Sequence, residues 1–421
     1  MPISVAMATL GCKVNQAESE ELRQQLEASG CLVTDIDEQA QVYVINTCTV
    51  THVADRKSRN LVQRACRSNP QARVLVTGCY ARRAPLELEA SPQVCVVPVG
   101  TAEVLTRQLE ELDLAPSYSS PAPGTNAARR ARSTIKAQDG CDQYCTFCAV
   151  PLARGGSRSL PVDEVVRRVK QSIDAGYREV VLTGVNLTYY GKEWGGSLEE
   201  LLGRVLETGL DRLRISSLQP QALDPGLLGL WRDSRLCRHF HLALQSGSDS
   251  VLRRMGRRYT VEEYRAAVSE IRETLPGASI TTDVMVGFPG ETQSEFMESY
   301  EVCREMAFAR MHVFQYSTRP GTGASRLPGA VPAKTRAARS KRMLDLAAGA
   351  SKAFREKFLG SSMEVLFEEE FAGRPGWWRG YTGNYLEVEA ESETPLANRL
   401  LPVTLRDIQD DVIIGTVDGG R

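Results

Sequence analysis

The chain has no long apolar run, no basic leader and no excess of either charge. None of its 421 residues lies in an apolar run approaching the ~18–20 residues of a membrane-spanning helix, so no membrane span is expected. The first residues, MPISVAMATLGC, lack a basic segment and a cleavage site, so no secretory signal is expected either. The 51 Lys and Arg residues against 52 Asp and Glu exclude an overall basic nucleic-acid coat but allow a local basic surface. We therefore expect a cytoplasmic protein.

Cysteine is the residue type that stands out. The chain has eleven cysteines, an odd number that cannot all pair, and a reducing compartment disfavours disulfides. Metal ligation or thiol chemistry must therefore be considered for each cysteine. A hydrophobic fraction of 42% excludes a mainly disordered chain, and 421 residues suit two to four domains at roughly 100–200 residues each.

The hydrophobic pattern predicts an α/β protein with three folded regions. In residues 1–113, strands alternate with helices, which favours an open parallel α/β sheet. Residues 114–133 are rich in Pro, Ser, Ala and Gly and are typical of a linker. Residues 134–358 contain six strand–helix units, which predict a partial (β/α)6 barrel with its active site at the carboxyl ends of the strands, and end in a basic helix at 333–358. Residues 361–421 predict a small five-stranded β-barrel with 5 basic and 12 acidic residues.

Strands are predicted in all three folded regions. In the first region they cover 3–10, 41–47, 73–78 and 94–100, and a helix is predicted at 101–113. In the second region they cover 134–139, 179–186, 212–218, 239–244, 279–288 and 309–316. In the third region they cover 362–369, 384–392, 400–405 and 411–417.

Cys141, Cys145 and Cys148, the barrel triad, follow the first predicted barrel strand with C-x3-C-x2-C spacing. A cubane iron–sulfur cluster takes four ligands, so three thiolates leave one iron open for a cofactor or substrate. A structural zinc site would need a fourth ligand, and His52 and His239 are far away in the sequence. A zinc knuckle or a cluster that only carries electrons is the alternative, but the position at a barrel strand end favours catalysis.

Cys12, Cys48 and Cys79, the sheet triad, each end a predicted strand. Loops after neighbouring parallel strands lie at one edge of the sheet, so the three thiols are expected to converge as a second three-cysteine cluster site. Gly11 and Gly78 allow close backbone approach beside them. The alternative is that the thiols pack as small apolar groups, which is the prediction for the other five cysteines. These five are Cys31, Cys66, Cys95, Cys237 and Cys303.

Several longer strings around both triads resemble one family, the radical S-adenosylmethionine (SAM) methylthiotransferases. Strings resembling its N-terminal domain are TLGCKVNQAESE (9–20), VINTCTVTHVADRKSR (44–59) and VTGCYA (76–81). Strings resembling its radical SAM core are KAQDGCDQYCTFCAVPLARGGSRS (136–159), RISSLQP (214–220), HLALQSGSDSVLRRMGRRYT (241–260) and TTDVMVGFPGET (281–292). The last region resembles a TRAM domain, which contacts RNA in this family.

The resemblance implies two [4Fe–4S] clusters and SAM as cofactors. In the family, the barrel triad's cluster binds SAM and cleaves it to a 5′-deoxyadenosyl radical, and the sheet triad's auxiliary cluster delivers a methylthio group. The string Lys13-Val14-Asn15-Gln16 is similar to the MtaB branch, which converts N6-threonylcarbamoyladenosine at position 37 of tRNA to its 2-methylthio form. The implied partners are a tRNA anticodon loop, a reducing electron donor and a sulfur donor.

Residues at the predicted strand ends are candidates for binding SAM, because the catalytic face of such a barrel lies there. Ordinary turn chemistry is the alternative for each. The candidates are Phe147, Gly184, Asn186, Ser216, Gln245, Ser246 and Asp283.

Clustered arginines are candidates for RNA contacts, because ordered guanidinium groups bind phosphates. A solvated charged face is the alternative, as it is for the basic helix at 333–358. The candidates are Arg154, Arg158, Arg253, Arg254, Arg257 and Arg258. Four aromatic residues of the last region could stack on unpaired bases or form the barrel core: Trp377, Trp378, Tyr381 and Tyr385.

Three other functions remain open from the sequence. Other branches of the family act on isopentenyladenosine in tRNA or on a ribosomal protein side chain. A different class of function would be an iron–sulfur RNA-binding protein without turnover, which would not cleave SAM.

Overall fold

The computed structural model describes residues 2–89, 91–97 and 131–419, together with Val104 and Arg107. The predicted helix at 101–113 and the predicted linker at 114–133 lie almost entirely outside these residues.

The first region forms a five-stranded, fully parallel sheet in the order β2-β1-β3-β4-β5. Its strands are β1 (Ser4–Thr9), β2 (Leu32–Asp35), β3 (Val42–Thr47), β4 (Arg73–Gly78) and β5 (Val94–Val96). Its helices are α1 (Lys13–Ala28), α2 (His52–Ser68) and α3 (Cys79–Arg83). All six residues of the central strand β3 are buried, as its apolar and β-branched sequence predicts. The predicted open α/β sheet is therefore confirmed.

The second region forms six parallel strands in barrel order, as predicted. They are β6 (Arg132–Asp139), β8 (Glu179–Gly184), β9 (Arg212–Ile215) with its continuation β10 (Ser217–Leu218), β11 (His239–Leu242), β12 (Ser279–Val286) and β13 (Arg310–Gln315). A two-residue strand, β7 (Arg158–Ser159), pairs antiparallel with the end of β6. The helices are α4 (Val150–Arg154), α5 (Val162–Asp174), α6 (Leu198–Leu206), α7 (Pro225–Gly229), α8 (Asp249–Met255), α9 (Val261–Thr274) and α10 (Gln293–Met306).

The two faces of the barrel strands have opposite character, because side chains alternate along a strand. On β6, Ile135 and Ala137 belong to the main hydrophobic core with the helices. The intervening Lys136 forms ion pairs with Glu18 of α1 and with Asp139. The inner face of this barrel is therefore polar, and helix α1 packs against it.

The last region follows the long helix α11 (Ala333–Glu356) and is a closed five-stranded barrel in the order β14-β15-β16-β18-β17. Its strands are β14 (Ser362–Glu370), β15 (Trp377–Thr382), β16 (Glu387–Glu391), β17 (Leu400–Gln409) and β18 (Val412–Val417). The strand patterns missed β15, which contains Gly380. A Cβ at Gly380 would lie 2.5 Å from the Leu366 carbonyl oxygen, so close strand packing requires glycine there. The TRAM assignment of this barrel stays a prediction.

The terminal barrel closes the amino-terminal end of the central barrel. Arg214, fully buried on β9, forms an ion pair with Glu179 at 2.7 Å and donates to the carbonyl oxygens of Thr382 and Gly383. The ring of Tyr385 stacks on His239 with centroids 4.8 Å apart. Of the helices within the described residues, none is both long and apolar enough to cross a membrane.

Candidate active site

The sheet triad lies where the strand order of the first region reverses. The chain leaves β1 toward β2 on one side and continues with β3 to β5 on the other, so ligands are expected at the carboxyl ends of β1 and β3. Cys12 precedes α1, Cys48 follows β3, and Cys79 begins α3 directly after β4. Thr9 pairs with Asn46 and Thr47 with Gly78, so the three loops start at nearly the same level.

Asn15 ties the loops of the sheet triad together. Its buried amide nitrogen donates to Leu10 O at 3.0 Å and Thr47 O at 3.0 Å, while its Oδ1 lies 3.7 Å from Cys12 Sγ and 3.9 Å from Cys79 Sγ. In the sequence, Asn15 stands out only as part of the string Lys13-Val14-Asn15-Gln16. Its helical position three residues after Cys12 was the available signal that it could contact the triad.

The predicted glycines occupy positions that other residues would strain. Gly11 has a φ of 116°, and a Cβ there would lie 3.2 Å from Cys48 Sγ. Gly78 has a φ of 94°, and its Cβ would meet the Thr47 carbonyl oxygen at 2.4 Å. Both backbones therefore approach the thiol site as closely as glycine permits.

The thiols of the sheet triad are close enough to influence one another. Burial raises the pKa of Cys48 to about 11, and its neighbours Cys79 and Cys12 act in the same direction. Cys48 and Cys79 are buried, whereas Cys12 is exposed. The arrangement leaves one open side, next to Cys12.

The barrel triad lies on the loop that follows β6, at the carboxyl end of the barrel. The Cys141 amide donates to Gly155 O at 3.1 Å, and the Cys148 amide donates to Cys145 O at 2.9 Å. Gly140 has a φ of 68°, and a Cβ there would collide with the Gly156 carbonyl oxygen at 1.9 Å. Burial raises the pKa of Cys148 to about 12, and its neighbours Cys145 and Cys141 add to the rise.

The donor set of each triad fits a three-cysteine cluster. Soft thiolates are the ligands that iron–sulfur clusters take. Within the described ranges, no three His, Cys, Asp or Glu side chains are grouped tightly enough for a single metal ion. The thiolates of a cubane bind different irons and so lie farther apart than the ligands of one ion. The assignment of each cysteine to a cluster stays a prediction.

Three of the predicted SAM contacts lie together beside the barrel triad. Asn186 Nδ2 lies 4.0 Å from Cys141 Sγ, and Asn186 Oδ1 is buried with no hydrogen-bond partner among the described residues. The Gly184 amide donates to Ser216 Oγ at 3.4 Å. A buried acceptor without a partner is costly, so Asn186 is well placed to receive a donor from a bound ligand.

The other predicted SAM contacts divide into two groups. Gln245, which has a φ of 63°, follows β11, and its amide donates to the Asp283 carbonyl oxygen on the neighbouring strand β12 at 2.8 Å. Phe147 packs against an apolar cluster beside the triad loop. The prediction for Ser246 gains no support from the position of its side chain. Its hydroxyl is fully buried and bonds Ser299 Oγ at 3.0 Å, so it stabilises the loop and does not face the barrel interior.

Three of the six predicted RNA contacts are engaged within the protein. Arg254 is paired with Glu295 at 2.9 Å, and Arg257 donates to Cys145 Sγ at 3.5 Å. Arg154 is only 4% exposed and donates to Cys79 Sγ at 3.1 Å. These three guanidinium groups bind partners within the protein, and their contacts with RNA stay predictions. The side chains that are exposed are Arg158, Arg253 and Arg258.

The predicted stacking aromatics are also mostly engaged within the protein. Tyr385 and Tyr381 stack on each other with centroids 5.4 Å apart at the junction of the two barrels, and Trp378 belongs to the core of the terminal barrel. Trp377, which is half-buried, lies 3.4 Å from the guanidinium of Arg374. Tyr385, Tyr381 and Trp378 therefore stabilise the fold and are not free to stack on RNA bases.

The barrel interior contains a histidine cluster that the strand patterns did not single out. The chain has four histidines, and His239, His241 and His312 lie on β11 and β13. His241 lies 3.4 Å from Asp283, and the His241 and His312 rings are 6.0 Å apart. Burial lowers the pKa of both His239 and His312, so these rings are neutral at pH 7. The i, i+2 spacing of His239 and His241 on a predicted strand was the signal for a shared face.

Helix α4 joins the two triads. It begins two residues after Cys148, ends at Arg154 and packs against α3, whose first residue is Cys79. The barrel triad and the sheet triad therefore flank one short helix, and Arg154 at its end contacts Cys79. A (β/α)6 barrel with a three-cysteine loop after its first strand, opposed by a second three-cysteine site, is the arrangement of a radical SAM enzyme with an auxiliary cluster.

Comparisons with known proteins identify the family. The radical SAM superfamily model matches residues 135–303, and a model described as uncharacterized protein family UPF0004 matches residues 4–100. A relative from Bacillus subtilis (strain 168), named threonylcarbamoyladenosine tRNA methylthiotransferase MtaB, is 37% identical over 96% of this chain and 93% of its own length. A Moorella thermoacetica relative, named tRNA-2-methylthio-N(6)-dimethylallyladenosine synthase, is 31% identical over 98% of both chains. The chain belongs to the radical SAM methylthiotransferase family.

Solved structures support the fold alone. The radical SAM methyltransferase TsrM from Kitasatospora setae has a TM-score of 0.57 at 15% identity, covering 77% of each chain. The cobalamin-dependent radical SAM enzyme OxsB has a TM-score of 0.52 at 12% identity, covering 85% of this chain and 56% of the other. Family membership confirms the predicted class, a transferase enzyme, and its cofactors, [4Fe–4S] clusters and SAM.

Proposed function

We propose that this enzyme adds a methylthio group to carbon 2 of N6-threonylcarbamoyladenosine at position 37 of tRNA. The observation that carries the proposal is the pair of cysteine triads bridged by α4, whose last residue, Arg154, contacts Cys79. Relatives named for this reaction support the substrate: the Bacillus subtilis protein and one from Thermotoga maritima, 37% identical over 92% of this chain.

Each region has its own part in the proposal. The sheet of residues 1–113 holds the auxiliary cluster through the sheet triad, and the barrel of residues 134–358 holds the second cluster and SAM through the barrel triad. The terminal barrel of residues 361–421 closes the amino-terminal end of the central barrel. When bound, the cofactors supply radical chemistry that breaks an unactivated C–H bond, which acid–base catalysis cannot do.

The side chains of this chain orient the reactants and limit the access of water. Asn186 is aimed at the barrel triad with an unused acceptor, which suits the amino group of SAM. Asn15 fixes the loops around the sheet triad. Correct alignment of the reacting groups is the larger part of what a protein contributes to such a step. An electron donor and a sulfur donor must come from outside this chain.

The polar barrel interior is the proposed site for the target base. An anticodon-loop nucleotide is unpaired and can be splayed out at low cost. Phe314 is 40% exposed and lies two residues after His312 on β13, so both side chains share the inner face. Its ring offers a surface on which an adenine can stack.

A substrate assay tests the proposal. Reconstituted enzyme with SAM and a reductant is given tRNA carrying N6-threonylcarbamoyladenosine, tRNA carrying isopentenyladenosine, or ribosomal protein. We expect a 2-methylthio nucleoside from the first substrate only, detected by mass spectrometry. Product from either other substrate alone would overturn the substrate assignment.

Methylthiolation of isopentenyladenosine is the second candidate. It is favoured by the relatives named dimethylallyladenosine synthases, at 31% and 33% identity. These identities are below the 37% of the relatives named for the threonylcarbamoyl substrate. The assay above distinguishes the two.

A further inference from the structure

Arg154 reaches from the loop of one cysteine triad to a thiol of the other. It is the last residue of α4, six positions after Cys148, and the chain turns away at Gly155, which has a φ of 76°. The side chain is almost fully buried between the sheet and the central barrel. A buried arginine at this position is a costly feature unless its charge and all its donors are satisfied.

All five N–H donors of the guanidinium have acceptors. Nε donates to Cys79 Sγ at 3.1 Å, and Nη2 donates to Asn15 Oδ1 at 2.9 Å. Nη1 donates to Asp139 at 2.8 Å and to Glu18 at 2.9 Å, and Nη2 also donates to Glu18 at 2.9 Å. The carboxylates of Glu18 and Asp139 therefore fix the orientation of the guanidinium. The guanidinium in turn donates to the two acceptors at the sheet triad.

The two carboxylates around Arg154 are held in place, which keeps the position of the guanidinium fixed. Burial by itself would raise the pKa of Glu18, but the hydrogen bonds and charges of Arg154 and Lys136 outweigh it and lower the pKa. Asp139 Oδ1 accepts from the Gly140 amide at 2.8 Å as well as from Arg154 at 2.8 Å, so the loop backbone fixes this carboxylate. The guanidinium is thus a pre-organised donor.

We propose that Arg154 is a positioning residue that holds Cys79 and Asn15 in place and raises the reduction potential of the auxiliary cluster. The proposal rests on the proposed function, because it assumes a cluster at the sheet triad. Hydrogen bonds to ligating sulfurs and nearby positive charge both favour the reduced, more negative state of an iron–sulfur cluster. Arg154 supplies both to Cys79.

The barrel triad has a corresponding group, which makes a selective test possible. Arg257 donates to Cys145 Sγ at 3.5 Å, to Ala243 O at 3.2 Å and to Tyr259 through a contact of 3.0 Å. Each triad thus has one arginine on one thiol. Arg154 acts on the sheet triad, so its replacement should affect the auxiliary cluster alone.

The test uses the full chain with all three barrel-triad cysteines changed to Ala, so that only the auxiliary cluster forms on reconstitution. Its midpoint potential is measured by a redox titration followed by electron paramagnetic resonance. In this background, Arg154→Gln is expected to lower the ratio of reduced to oxidised cluster roughly tenfold at a fixed potential, about 59 mV for one electron. Arg154→Lys keeps the positive charge but loses the planar group with its five N–H donors, so we expect a smaller shift of the midpoint potential in the same direction. The control is Arg167→Gln, an exposed arginine on α5, which should leave the potential unchanged.

The outcomes separate this inference from the proposed function. If the background protein binds no iron, the auxiliary-cluster assignment fails. If it binds a cluster and both Arg154 variants have the iron content and potential of the Arg167→Gln control, this inference is wrong. Loss of iron from a folded Arg154 variant supports the positioning role. If Arg154→Gln does not fold because Glu18 and Asp139 are left unpaired, Arg154→Lys and the double variant Arg154→Gln/Glu18→Gln carry the test.

Discussion

At the scale of single residues, Asn15 decides the shape of the sheet triad. Its side chain links α1 to the ends of β1 and β3 and also accepts a hydrogen bond from Arg154. No other side chain type supplies two donors and an acceptor in so small a volume except glutamine, which is one methylene longer.

Replacing Asn15 by Asp tests this role. The change replaces the donating NH2 group with an oxygen that faces the acceptors Leu10 O and Thr47 O, so we expect about 1–3 kcal/mol of lost stability. Iron content after reconstitution should fall from two clusters toward one. Gln16→Glu makes the same chemical change at the next, exposed position and should retain both. Equal iron content in the two variants would contradict the role of Asn15.

Sequence reasoning located the cysteines but not the residues that orient them. Cys12, Cys48 and Cys79 could be grouped because each ends a strand of a parallel sheet. Arg154 could not be linked to Cys79, because the two are 75 positions apart and no periodicity relates separate domains. The sequence instead makes Arg154 a candidate RNA contact, because arginine side chains are mostly exposed.

At the scale of elements, strand β13 is the edge of the central barrel and carries exposed side chains on its inner face. On the neighbouring strand β12, Asp283 pairs with His312, which lies two positions before Phe314. A partly exposed aromatic ring among polar groups at the open end of a barrel is unusual in a core and is typical of a binding surface.

Phe314→Ala tests β13 as the wall against which the base stacks. Stacking of a base on an aromatic side chain contributes roughly 1–3 kcal/mol, so we expect the KM for tRNA to rise about tenfold. SAM cleavage in the absence of tRNA should not change. Leu344→Ala, at an exposed apolar position on α11, is the control and should leave KM unchanged. An unchanged KM in Phe314→Ala, or full recovery of KM by an aliphatic Leu in place of Phe314, would exclude stacking.

The hydrophobic pattern did not predict two strands, β2 and β15, whose sequences reflect their place in the folded structure. Strand β2 has only four residues at the sheet edge, too few for a clear alternation. Strand β15 carries Gly380 because the backbone of β14 approaches it closely, and glycine weakens any strand pattern. The six barrel strands, by contrast, were predicted because each buries one face against helices.

At the scale of the whole molecule, a buried ionic layer joins the central and terminal barrels. Although burial opposes ionisation, Arg214 and Arg212 lower the pKa of Glu179 to about 2. Lys13, next to Cys12, lies 5.2 Å from the centre of the Tyr385 ring of the terminal barrel. The three regions therefore meet around the amino-terminal end of the central barrel.

Acid stability tests the ionic layer. A carboxylate with a lowered folded-state pKa stabilises the fold above its unfolded pKa of about 4.3, and this contribution is lost as pH falls toward 2. Glu179→Gln leaves Arg214 without its partner and should cost about 3–5 kcal/mol at pH 7 in urea unfolding.

The difference in unfolding free energy between wild type and Glu179→Gln should then shrink as pH falls below about 4.3. Glu164→Gln is the control, since Arg167 and Arg168 also lower the pKa of Glu164 to about 2 but on the surface, where ion pairs contribute little. If the loss of unfolding free energy in Glu179→Gln does not vary with pH, Glu179 is not the ionised partner of the buried arginines.

The most direct test of the central claim is to measure 5′-deoxyadenosine and methylthiolated nucleoside in the same reaction for two variants. In the proposed function, the barrel triad supports SAM cleavage and the sheet triad supports methylthio delivery. Cys141→Ala should therefore lose both products, whereas Cys12→Ala should still form 5′-deoxyadenosine but no 2-methylthio nucleoside. A Cys12→Ala enzyme that methylthiolates tRNA as well as wild type would contradict the account.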